Sequence, residues 1–285
     1  MARVQVLNFG SLNVDHVYRV SSLVRPGETL SSKSYERRTG GKGFNQSIAL
    51  SRAGAQVCHA GRIGEDGTFL RDTLKTQGVN VDAIAITSTP TGHAIIQVDD
   101  AGENAIVLYG GANRDTTRAH VEETLSSREP GSTLLLQNEV SCTSDIIELG
   151  LERGLRIAFN PAPMTADIEN LPLADLSLLV VNADEGRALC GERDAPNADV
   201  LDLLHSRYPQ TPIALTAGGD GAHYVDRDTR IHQPAEKVNV IDTTGAGDSF
   251  VGHFLAAQVA GASSEDCLKR ACRAAAESVT HRGAT

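Results

Sequence analysis

Residues 242–250 read Asp242-Thr243-Thr244-Gly245-Ala246-Gly247-Asp248-Ser249-Phe250. This segment follows a strand-like run, Val238–Ile241, and opens an apolar stretch that predicts a helix over Ala246–Ala260. Glycines at the start of a helix let successive backbone N–H groups face an anion, and the helix dipole adds to the attraction. The segment therefore predicts an anion site between a strand and a helix.

Asp248 falls in the first turn of this predicted helix, beside the place where a phosphate would bind. A carboxylate there can accept a proton from an attacking hydroxyl during phosphoryl transfer. An acid in a first helical turn can also serve only to complement the dipole, and taken alone Asp248 favours that simpler interpretation. The two glycines, two threonines and second aspartate of the same loop favour a catalytic base.

Alternating strands and helices extend over most of the chain. Buried strands are predicted at Val4–Phe9, Gln56–Ala60, Thr133–Gln137, Leu155–Phe159, Leu176–Val181 and Pro212–Thr216. Helices are predicted after Gly43 and near Phe69–Gln77, Ser144–Arg153, Glu185–Cys190, Val200–Arg207 and Ser264–His281. A late β pair, His223–Asp226 and Arg230–His232, precedes the last two helices. This alternation predicts an α/β fold with a doubly wound, mostly parallel sheet flanked by helices.

Two stretches differ because their strands have no helix between them. His16–Val20 and Thr29–Tyr35 flank a turn at residues 25–28, and His93–Asp99 and Asn104–Tyr109 flank a polar loop. We expect these strands to form a small second sheet. The predicted organisation is a core formed by residues 1–14, 39–91 and 113–285 and a β lid formed by residues 15–38 and 92–112.

Polar or glycine-rich loops follow several of the predicted core strands, as expected for a cleft along one sheet edge. Asn13 and Asp15 could hydrogen-bond hydroxyl groups or form an ordinary turn. The run Gly40-Gly41-Lys42-Gly43-Phe44-Asn45-Gln46 could cradle a phosphate, offer a polar shelf to a substrate, or only turn the chain. Glu139 and the segments 110–113 and 160–163 also fall at strand ends.

Two further clusters leave a functional and a structural interpretation open. Asn182 and Glu185 could hold Mg²⁺ through water molecules or could cap a helix. The glycines of Thr216-Ala217-Gly218-Gly219-Asp220-Gly221 could contact a nucleotide through their backbone or form a β-turn.

Composition limits the partners and the compartment. The net charge of −10 disfavours nucleic acid as a partner. The five cysteines lack C-x-x-C spacing, which disfavours zinc and a disulfide framework and is typical of a reducing cytosol. No apolar run approaches the ~20 residues of a membrane span, and the N-terminus lacks the organisation of a signal peptide. We therefore expect a cytoplasmic protein that does not bind membranes.

Several common signatures are missing from the sequence. It contains no G-x-x-x-x-G-K-[ST] P-loop and no G-x-G-x-x-G after a strand, so an NAD-binding enzyme is disfavoured. It also lacks G-x-S-x-G, H-E-x-x-H and the H-R-D run of protein kinases.

Taken in order, the remaining motifs resemble the ribokinase-like (PfkB-type) carbohydrate kinases over almost the whole chain, and ribokinases most closely. The matching segments are Gly10–Asp15, Pro26–Glu28, Gly40–Asn45, Gly102–Asn104, Gly111–Asn113, Asn160–Pro163, Asn182–Glu185 and Asp242–Asp248. The resemblance implies transfer of a phosphoryl group from MgATP to D-ribose. Deoxyribose, fructose or a nucleoside remain alternative substrates, and a non-catalytic sugar- or nucleotide-binding protein is a rival of another class.

The resemblance also implies a role for individual residues. Sugar contacts would come from Asn13, Asp15, Gly41, Lys42, Asn45, Glu139 and Asp248. Nucleotide contacts would come from Asn182, Thr216, Gly218, Gly221 and Gly247, with Glu185 supporting Mg²⁺. The amides of Gly245, Ala246 and Gly247 would form the anion hole, and Asp248 would be the base. A K⁺ site would include Asp242, Thr244, Ser278 and Gly283. In this family the lid also pairs subunits, which implies a homodimer.

Two departures from the family pattern concern the C-terminal region. Ribokinases usually continue beyond the position of Thr285 through a further loop and helix, so we expect an incomplete K⁺ site. Cys272, Arg273 and Glu277 occupy a helix that is usually small and apolar beside the adenine, so we expect weaker nucleotide binding.

Overall fold

Thirteen strands are found in the computed structural model, which describes residues 5–281 and 283–284. Val4, at the start of the first predicted strand, lies outside the described residues, as do Arg282 and Thr285. The strands are β1 (Val6–Phe9), β2 (Asn13–Arg19), β3 (Ser34–Gly40), β4 (Val57–Gly64), β5 (Asn80–Thr87), β6 (Gly92–Val98), β7 (Asn104–Tyr109), β8 (Thr133–Gln137), β9 (Arg156–Asn160), β10 (Leu178–Asn182), β11 (Ile213–Thr216), β12 (Ala222–Val225) and β13 (Arg230–Gln233).

Eight α-helices connect these strands within the described residues. They are α1 (Lys42–Arg52), α2 (Thr68–Thr76), α3 (Arg118–Ser126), α4 (Thr143–Glu152), α5 (Ala183–Cys190), α6 (Asn197–Arg207), α7 (Ala246–Val259) and α8 (Ser264–Ser278). None of the helices in the described part of the chain is long and apolar enough to cross a membrane.

Nine strands form the main sheet, in the order β13-β12-β11-β10-β9-β8-β1-β4-β5. The seven strands from β11 to β5 are parallel, and β12 and β13 continue the sheet as an antiparallel edge. The chain order reverses between β1 and β8, where the first half of the sheet meets the second. The predicted α/β class and the mostly parallel, doubly wound sheet are confirmed.

Alternate residues of the central strands enter two separate cores. Val6 and Leu135 pack with the side chains of α1, α2, α7 and α8 on one face of the sheet. Leu7, Leu134 and Leu136 pack with those of α3, α4, α5 and α6 on the other face. Because side chains in a strand alternate between faces, a run that is apolar at every position belongs to a sheet covered on both sides.

The second sheet has four strands in the order β3-β2-β6-β7. The central pair β2–β6 is parallel, and the outer pairs β2–β3 and β6–β7 are antiparallel hairpins. The small β-sheet predicted beside the core is therefore present. Every residue of the edge strand β7 is exposed.

Three local predictions were wrong or incomplete. The predicted strand Thr29–Tyr35 lies at Ser34–Gly40 instead, because the paired residues are the charged run 36–38 that an apolar pattern does not detect. Val238–Ile241 is not a strand; Ile241 is 55% exposed, and its N–H donates to Val279 O at 2.7 Å. The edge strand β5 was not predicted.

Candidate active site

The loop before α7 brings backbone N–H groups to the edge of the main sheet. Gly245 adopts a left-handed conformation (φ 77°) at the N-cap. Ala246 N donates to Thr243 O at 3.3 Å, a long bond outside the helix, and the first-turn N–H groups have no partner within the helix. A Cβ added to Gly245 would lie 2.5 Å from Ala284 Cβ, so the close approach of the two segments requires glycine. Around Gly247 the described residues leave a Cβ no neighbour within 4 Å, so this position faces open space.

Asp248 is buried in the first turn of α7, with 8% of its surface exposed. Its Oδ2 accepts a hydrogen bond from Asn45 Nδ2 and its Oδ1 accepts one from Gln46 Nε2, both at 2.9 Å. Burial raises the pKa of Asp248, and the charge of Lys42 and the two amide donors oppose this effect. The result is an oriented carboxylate with an increased affinity for a proton, as a base needs.

Asn13 and Asp15 lie in β2, where the small sheet meets the core. Asn13 Oδ1 accepts a hydrogen bond from Asn113 Nδ2 at 2.8 Å, and Asn113 also bonds both backbone polar atoms of Leu12. Asn113 had no predicted role beyond its place in the Gly111–Asn113 motif, and the structure shows that it orients Asn13. Burial and nearby Glu139 raise the pKa of Asp15 to about 6, against the opposing charge of Arg38.

Glu139 joins three segments at the N-terminus of α1. Its Oε2 accepts hydrogen bonds from the Ser11 hydroxyl and from Lys42 N, and Ser11 Oγ in turn accepts one from Gly43 N. A carboxylate at this position satisfies a first-turn donor and complements the helix dipole. Gly41 is the N-cap with φ 93°, and a Cβ there would lie 3.0 Å from Ser11 O.

The Lys42 side chain lies within electrostatic range of two acids from other parts of the fold. Its charge opposes the effect of burial on the pKa of both Asp248 and Glu185. The structure thus brings Lys42, predicted as part of a sugar shelf, within electrostatic range of Asp248 and Glu185.

A cavity of about 310 Å³ lies beside the Asp242–Asp248 loop. Of the residues predicted to contact a nucleotide, it is lined by Thr216, Gly218, Gly221 and Gly247, and not by Asn182. The other lining residues are Gly219, Ala222, Ala235, Glu236, Val238, Val240, Thr243, Ala246, Phe250, Cys272, Ala275, Ala276 and Val279. Most are small or apolar, which suits a planar base.

The polar residues of α8 were expected beside this cavity, and for two of them the structure differs. Cys272 lines the cavity, whereas Arg273 and Glu277 line a separate groove with Ala53 and His253. The two faces of α8 separate them because residues four apart share a face and adjacent residues do not.

Asn182 and Glu185 form a capping box at the start of α5. Asn182 Oδ1 accepts from Glu185 N at 2.8 Å, and Glu185 Oε2 accepts from Asn182 N at 2.9 Å. The helix-cap interpretation is therefore confirmed. Burial raises the pKa of Glu185, which hydrogen bonding to Asn182 and the charge of Lys42 oppose. A partly desolvated carboxylate of this kind fits a nearby cation.

Asp242, Thr244 and Gly283, three of the residues predicted for a K⁺ site, lie together. Asp242 Oδ1 accepts from Thr244 N and Oγ1 at 2.9 and 2.6 Å, and its Oδ2 accepts from Gly283 N at 3.0 Å. Burial raises the pKa of Asp242, but these hydrogen bonds outweigh it and leave the pKa below its usual value. Ser278 ends α8, and its hydroxyl donates to Ala275 O.

Clusters of acidic, histidine or cysteine side chains that could hold a metal ion are absent from residues 5–281 and 283–284, where no group of three or more such side chains lies together. A cation beside Asp242 or Glu185 would therefore need further ligands, such as backbone carbonyls, water or a bound phosphate.

Comparisons with known proteins cover nearly the whole chain. A family model described as pfkB family carbohydrate kinase matches residues 4–285. A ribokinase of Haemophilus influenzae is 31% identical over 283 residues, which cover 96% of this chain and 92% of that one. A deoxyribokinase of Salmonella typhi is 30% identical over 284 residues, with the same coverage of 96% and 92%.

Solved structures extend this similarity to both sheets. The ribokinase of Cryptococcus neoformans in complex with ADP has a TM-score of 0.83 and 33% identity, covering 99% of this chain and 96% of that one. The Arabidopsis thaliana ribokinase complexed with ribose and ATP has a TM-score of 0.86 and 27% identity, covering 98% and 93%.

Proposed function

Because this chain belongs to the pfkB family of carbohydrate kinases, we propose that it transfers the γ-phosphoryl group of ATP to the primary hydroxyl of D-ribose. The products are ribose 5-phosphate and ADP. The relatives that carry the name ribokinase, and the neighbour structure that holds ribose and ATP, support ribose as the acceptor. A phosphotransferase acting on a sugar hydroxyl is the class of enzyme to which the family points.

One observation carries the proposal. Asp248, at the start of α7, is held by the side-chain amides of Asn45 and Gln46. It lies next to the residues proposed to bind sugar and to the 310 Å³ cavity. The sugar hydroxyl gives its proton to Asp248 as its oxygen bonds to the γ-phosphorus. The bond from that phosphorus to the β,γ-bridging oxygen breaks, and ADP leaves with the bond's electrons. The proton then passes from Asp248 to solvent.

Backbone amides and a side-chain cation would stabilise the charge that develops on the phosphoryl oxygens. Gly245, Ala246 and Gly247 supply the amides, and Lys42 supplies a positive charge near Asp248. We assign sugar contacts to Asn13, Asp15, Gly41, Asn45 and Glu139. The nucleotide contacts are assigned to Thr216, Gly218, Gly221 and Gly247, and Asn182 is placed at the edge of that site.

Two cations belong to the proposal. Mg²⁺ would neutralise phosphate charge, and the half-buried carboxylate of Glu185 fits a supporting role through water. K⁺ would bind near Asp242, Thr244, Ser278 and Gly283, where the Asp242 carboxylate keeps lone pairs beyond the three hydrogen bonds it accepts. Its charge would hold the anion-hole loop in position.

The lid is proposed to pair two subunits in a homodimer. Its edge strand β7 exposes four consecutive large apolar side chains, Ile106, Val107, Leu108 and Tyr109, and Val107 is 68% exposed. Such a row on an edge strand invites pairing with another chain. The cytoplasm is the proposed compartment, and the five free cysteines are consistent with a reducing environment.

The proposal is tested by coupled ADP assays on a panel of ribose, deoxyribose, fructose and nucleosides, with and without K⁺. We expect the highest kcat/KM with ribose. Activity confined to deoxyribose, the substrate class suggested by the Salmonella relative, would replace ribose in the assignment. Asp248→Asn should keep sugar binding in calorimetry and lose turnover; retained turnover contradicts the role of Asp248.

A further inference from the structure

Gln46 is one of the two amides that hold Asp248, and it stands at the end of a buried series of polar side chains. Its Nε2 donates to Asp248 Oδ1 at 2.9 Å and to Asn160 Oδ1 at 3.1 Å. Its Oε1 accepts from Gln137 Nε2 at 2.6 Å. All three polar partners and Gln46 itself are buried, so water does not compete for these bonds.

The series continues through β1 and α1 to β4. Gln137 Nε2 also donates to Asn8 Oδ1 at 2.9 Å, and Asn8 Nδ2 lies 2.8 Å from Ser47 Oγ. Ser47 Oγ lies 2.8 Å from His59 Nδ1, and His59 Nε2 lies 3.2 Å from Gly10 O. We call this series, His59–Ser47–Asn8–Gln137–Gln46, the buried relay.

We propose that Gln46 is a positioning residue for Asp248, and that the buried relay fixes which end of the Gln46 amide faces the carboxylate. The inference rests on the proposed role of Asp248 as the base. It assigns a purpose to polar side chains that occupy strand and helix positions in the core, where apolar residues would pack at lower desolvation cost.

The direction of the relay follows from two backbone carbonyls, Gly10 O at its far end and Gly43 O beside Asn8. Gly10 O can only accept, so His59 Nε2 carries the hydrogen and Nδ1 accepts one from the Ser47 hydroxyl. The NH₂ of Asn8 donates to both Ser47 Oγ and Gly43 O at 2.8 Å, and these two bonds turn the Asn8 carbonyl oxygen toward Gln137. Burial lowers the pKa of His59 to about 4, so the ring stays neutral and this direction holds at neutral pH.

Gln137 passes the direction to Gln46. The two hydrogens of its NH₂ go to the carbonyl oxygens of Asn8 and Gln46. Asn160 Nδ2 donates to Val180 O at 3.0 Å, so the oxygen of Asn160 faces the same Gln46 NH₂. Both contacts turn the NH₂ of Gln46 toward Asp248. Gln137 Oε1 is buried and has no hydrogen-bond partner among the described residues. Rotating the Gln137 amide by half a turn would instead bring its oxygen against two other carbonyl oxygens. Gln137 Oε1 is thus left without a partner in the one amide orientation that turns the Gln46 NH₂ toward Asp248.

A fixed Gln46 amide matters because the reverse orientation would place an oxygen against the Asp248 carboxylate. The charged groups that affect Asp248 from neighbouring segments are Lys42 on α1, Glu139 after β8 and Glu185 on α5. Two of these three are acids, so the donors Asn45 and Gln46 are needed to hold the carboxylate ionised and pointed at a substrate hydroxyl.

The first experiment replaces Gln46 with Met, which has a similar length and no hydrogen-bonding amide. We expect kcat to fall roughly 10- to 100-fold, as for a misplaced catalytic group, with the KM for sugar within about threefold of wild type. The acid limb of the kcat–pH profile should move to higher pH because the ionised carboxylate loses a donor. Thr211→Val is the matched control: it removes buried hydrogen bonds to Leu173 and Ala174 carbonyls, away from the relay, and should leave kcat unchanged.

The second experiment tests the relay by a double-mutant cycle of Asn8→Leu and Gln46→Met, because Asn8 supplies the oxygen that orients Gln137. Asn8→Leu should lower kcat in the wild-type background, with the same direction of pH shift, and should have no further effect when Gln46 is already Met. Equal loss in both backgrounds would show general destabilisation and overturn the relay. Unchanged kcat and pH profile in a folded Gln46→Met protein would overturn the positioning role.

A readout that does not depend on turnover separates this inference from the proposed function. Carboxyl ¹³C NMR of Asp-labelled, sugar-free protein, assigned with Asp248→Asn, should show a higher pKa for Asp248 in Gln46→Met. If Asp248→Asn retains turnover but this pKa shift is present, the proposed base is wrong and the positioning contact stands. If Asp248→Asn abolishes turnover but Gln46→Met changes neither this pKa nor kcat, only the inference fails.

Discussion

Asn113 Nδ2 donates a hydrogen bond to Asn13 Oδ1 at 2.8 Å across the junction of the two sheets. This contact fixes the side-chain amide of Asn13, a residue proposed to bind the sugar. With its oxygen occupied, Asn13 presents its Nδ2 as the donor for a hydroxyl. Gly92 is also at this junction, since a Cβ there would lie 2.2 Å from Asn113 Nδ2. The sugar side of the site is thus ordered by a residue that need not touch sugar.

Asn113→Ala should therefore weaken sugar binding more than it slows the chemistry. We expect the KM for sugar to rise roughly tenfold, corresponding to one lost polar contact, with the KM for ATP unchanged. Steady-state kinetics with each substrate varied in turn measure the two effects. Asn80→Ala on the edge strand β5 serves as the control, and equal changes in both KM values would contradict the assignment.

The raised pKa of Asp15 predicts opposite effects of pH on stability and on binding. Because the folded state holds this proton more tightly than the unfolded chain, the contribution of Asp15 to stability is present below pH 3.8 and is lost as pH rises through about 6. Asp15→Asn should therefore raise the melting temperature at pH 7–8, and this difference should vanish near pH 4. Thermal unfolding across this range measures it; a variant less stable at pH 7 contradicts the prediction.

Sugar binding should show the reverse trend, since the ionised Asp15 carboxylate is the stronger acceptor for hydroxyl groups. The dissociation constant for ribose should increase as pH falls below about 6. In Asp15→Asn, binding should be weak at every pH and should lose this inflection. Isothermal titration calorimetry in the absence of nucleotide tests the point.

The two glycines of the anion loop should respond differently to alanine. Gly245→Ala places a Cβ at φ 77° and 2.5 Å from Ala284 Cβ, so it should cost about 1–3 kcal/mol of stability and reduce kcat. Gly247→Ala meets no described neighbour within 4 Å, so it should fold normally and raise the KM for ATP where the phosphoryl group binds.

Gly261→Ala is the control for Gly245→Ala, because it introduces the same backbone strain without a clash against a neighbouring side chain. Gly261 has φ 83°, and a Cβ added there would have no heavy atom of the described part of the chain within 4 Å. Its replacement should lower the melting temperature less than that of Gly245 and leave kcat unchanged. Equal kinetic loss in Gly245→Ala and Gly261→Ala would contradict a specific role for the anion loop.

Glu185→Gln should change the demand for Mg²⁺ without unfolding α5. Glutamine can also accept from the Asn182 N–H, so the capping box is retained. We expect the Mg²⁺ concentration for half-maximal activity to rise roughly tenfold, as when a supporting partner of a metal is removed. Assays at fixed ATP with varied Mg²⁺ test this, and Glu192→Gln, just beyond the end of α5, is the control.

The sequence predicted the regular parts of the fold because the physics there is local. Thr133–Gln137 has only buried residues between polar loops, and its bounds were predicted correctly. The strand Ser34–Gly40 was predicted too early in the chain. Its charged residues pair with β2 through the backbone, and no side-chain pattern encodes that register. The extended segment Val238–Ile241 has a strand-like composition, but it is anchored by a hydrogen bond to Val279 and not by a neighbouring strand.

The candidate site could be predicted only to the level of its motifs. Asp248 stood out because glycines surround it, whereas Asn8 and His59 gave no signal: each is a single polar residue between apolar neighbours in a strand. Their relation to Gln46 depends on the packing of β1 and β4 against α1, which is set by tertiary structure. Arg273 and Glu277 were predicted beside the nucleotide but line a separate groove. The sequence shows that they belong to α8 but not which face of α8 points toward the cavity.

The burial of Asp248 also bears on how ATP is protected from wasteful hydrolysis. Only 8% of the Asp248 surface is exposed, so few water molecules can reach the base when no sugar is bound. An attacking water would need the same deprotonation that a sugar hydroxyl needs, and an enclosed site suppresses that side reaction. If Asp248 is the base, as proposed, the protein without an acceptor sugar should hydrolyse ATP far more slowly than it phosphorylates the sugar.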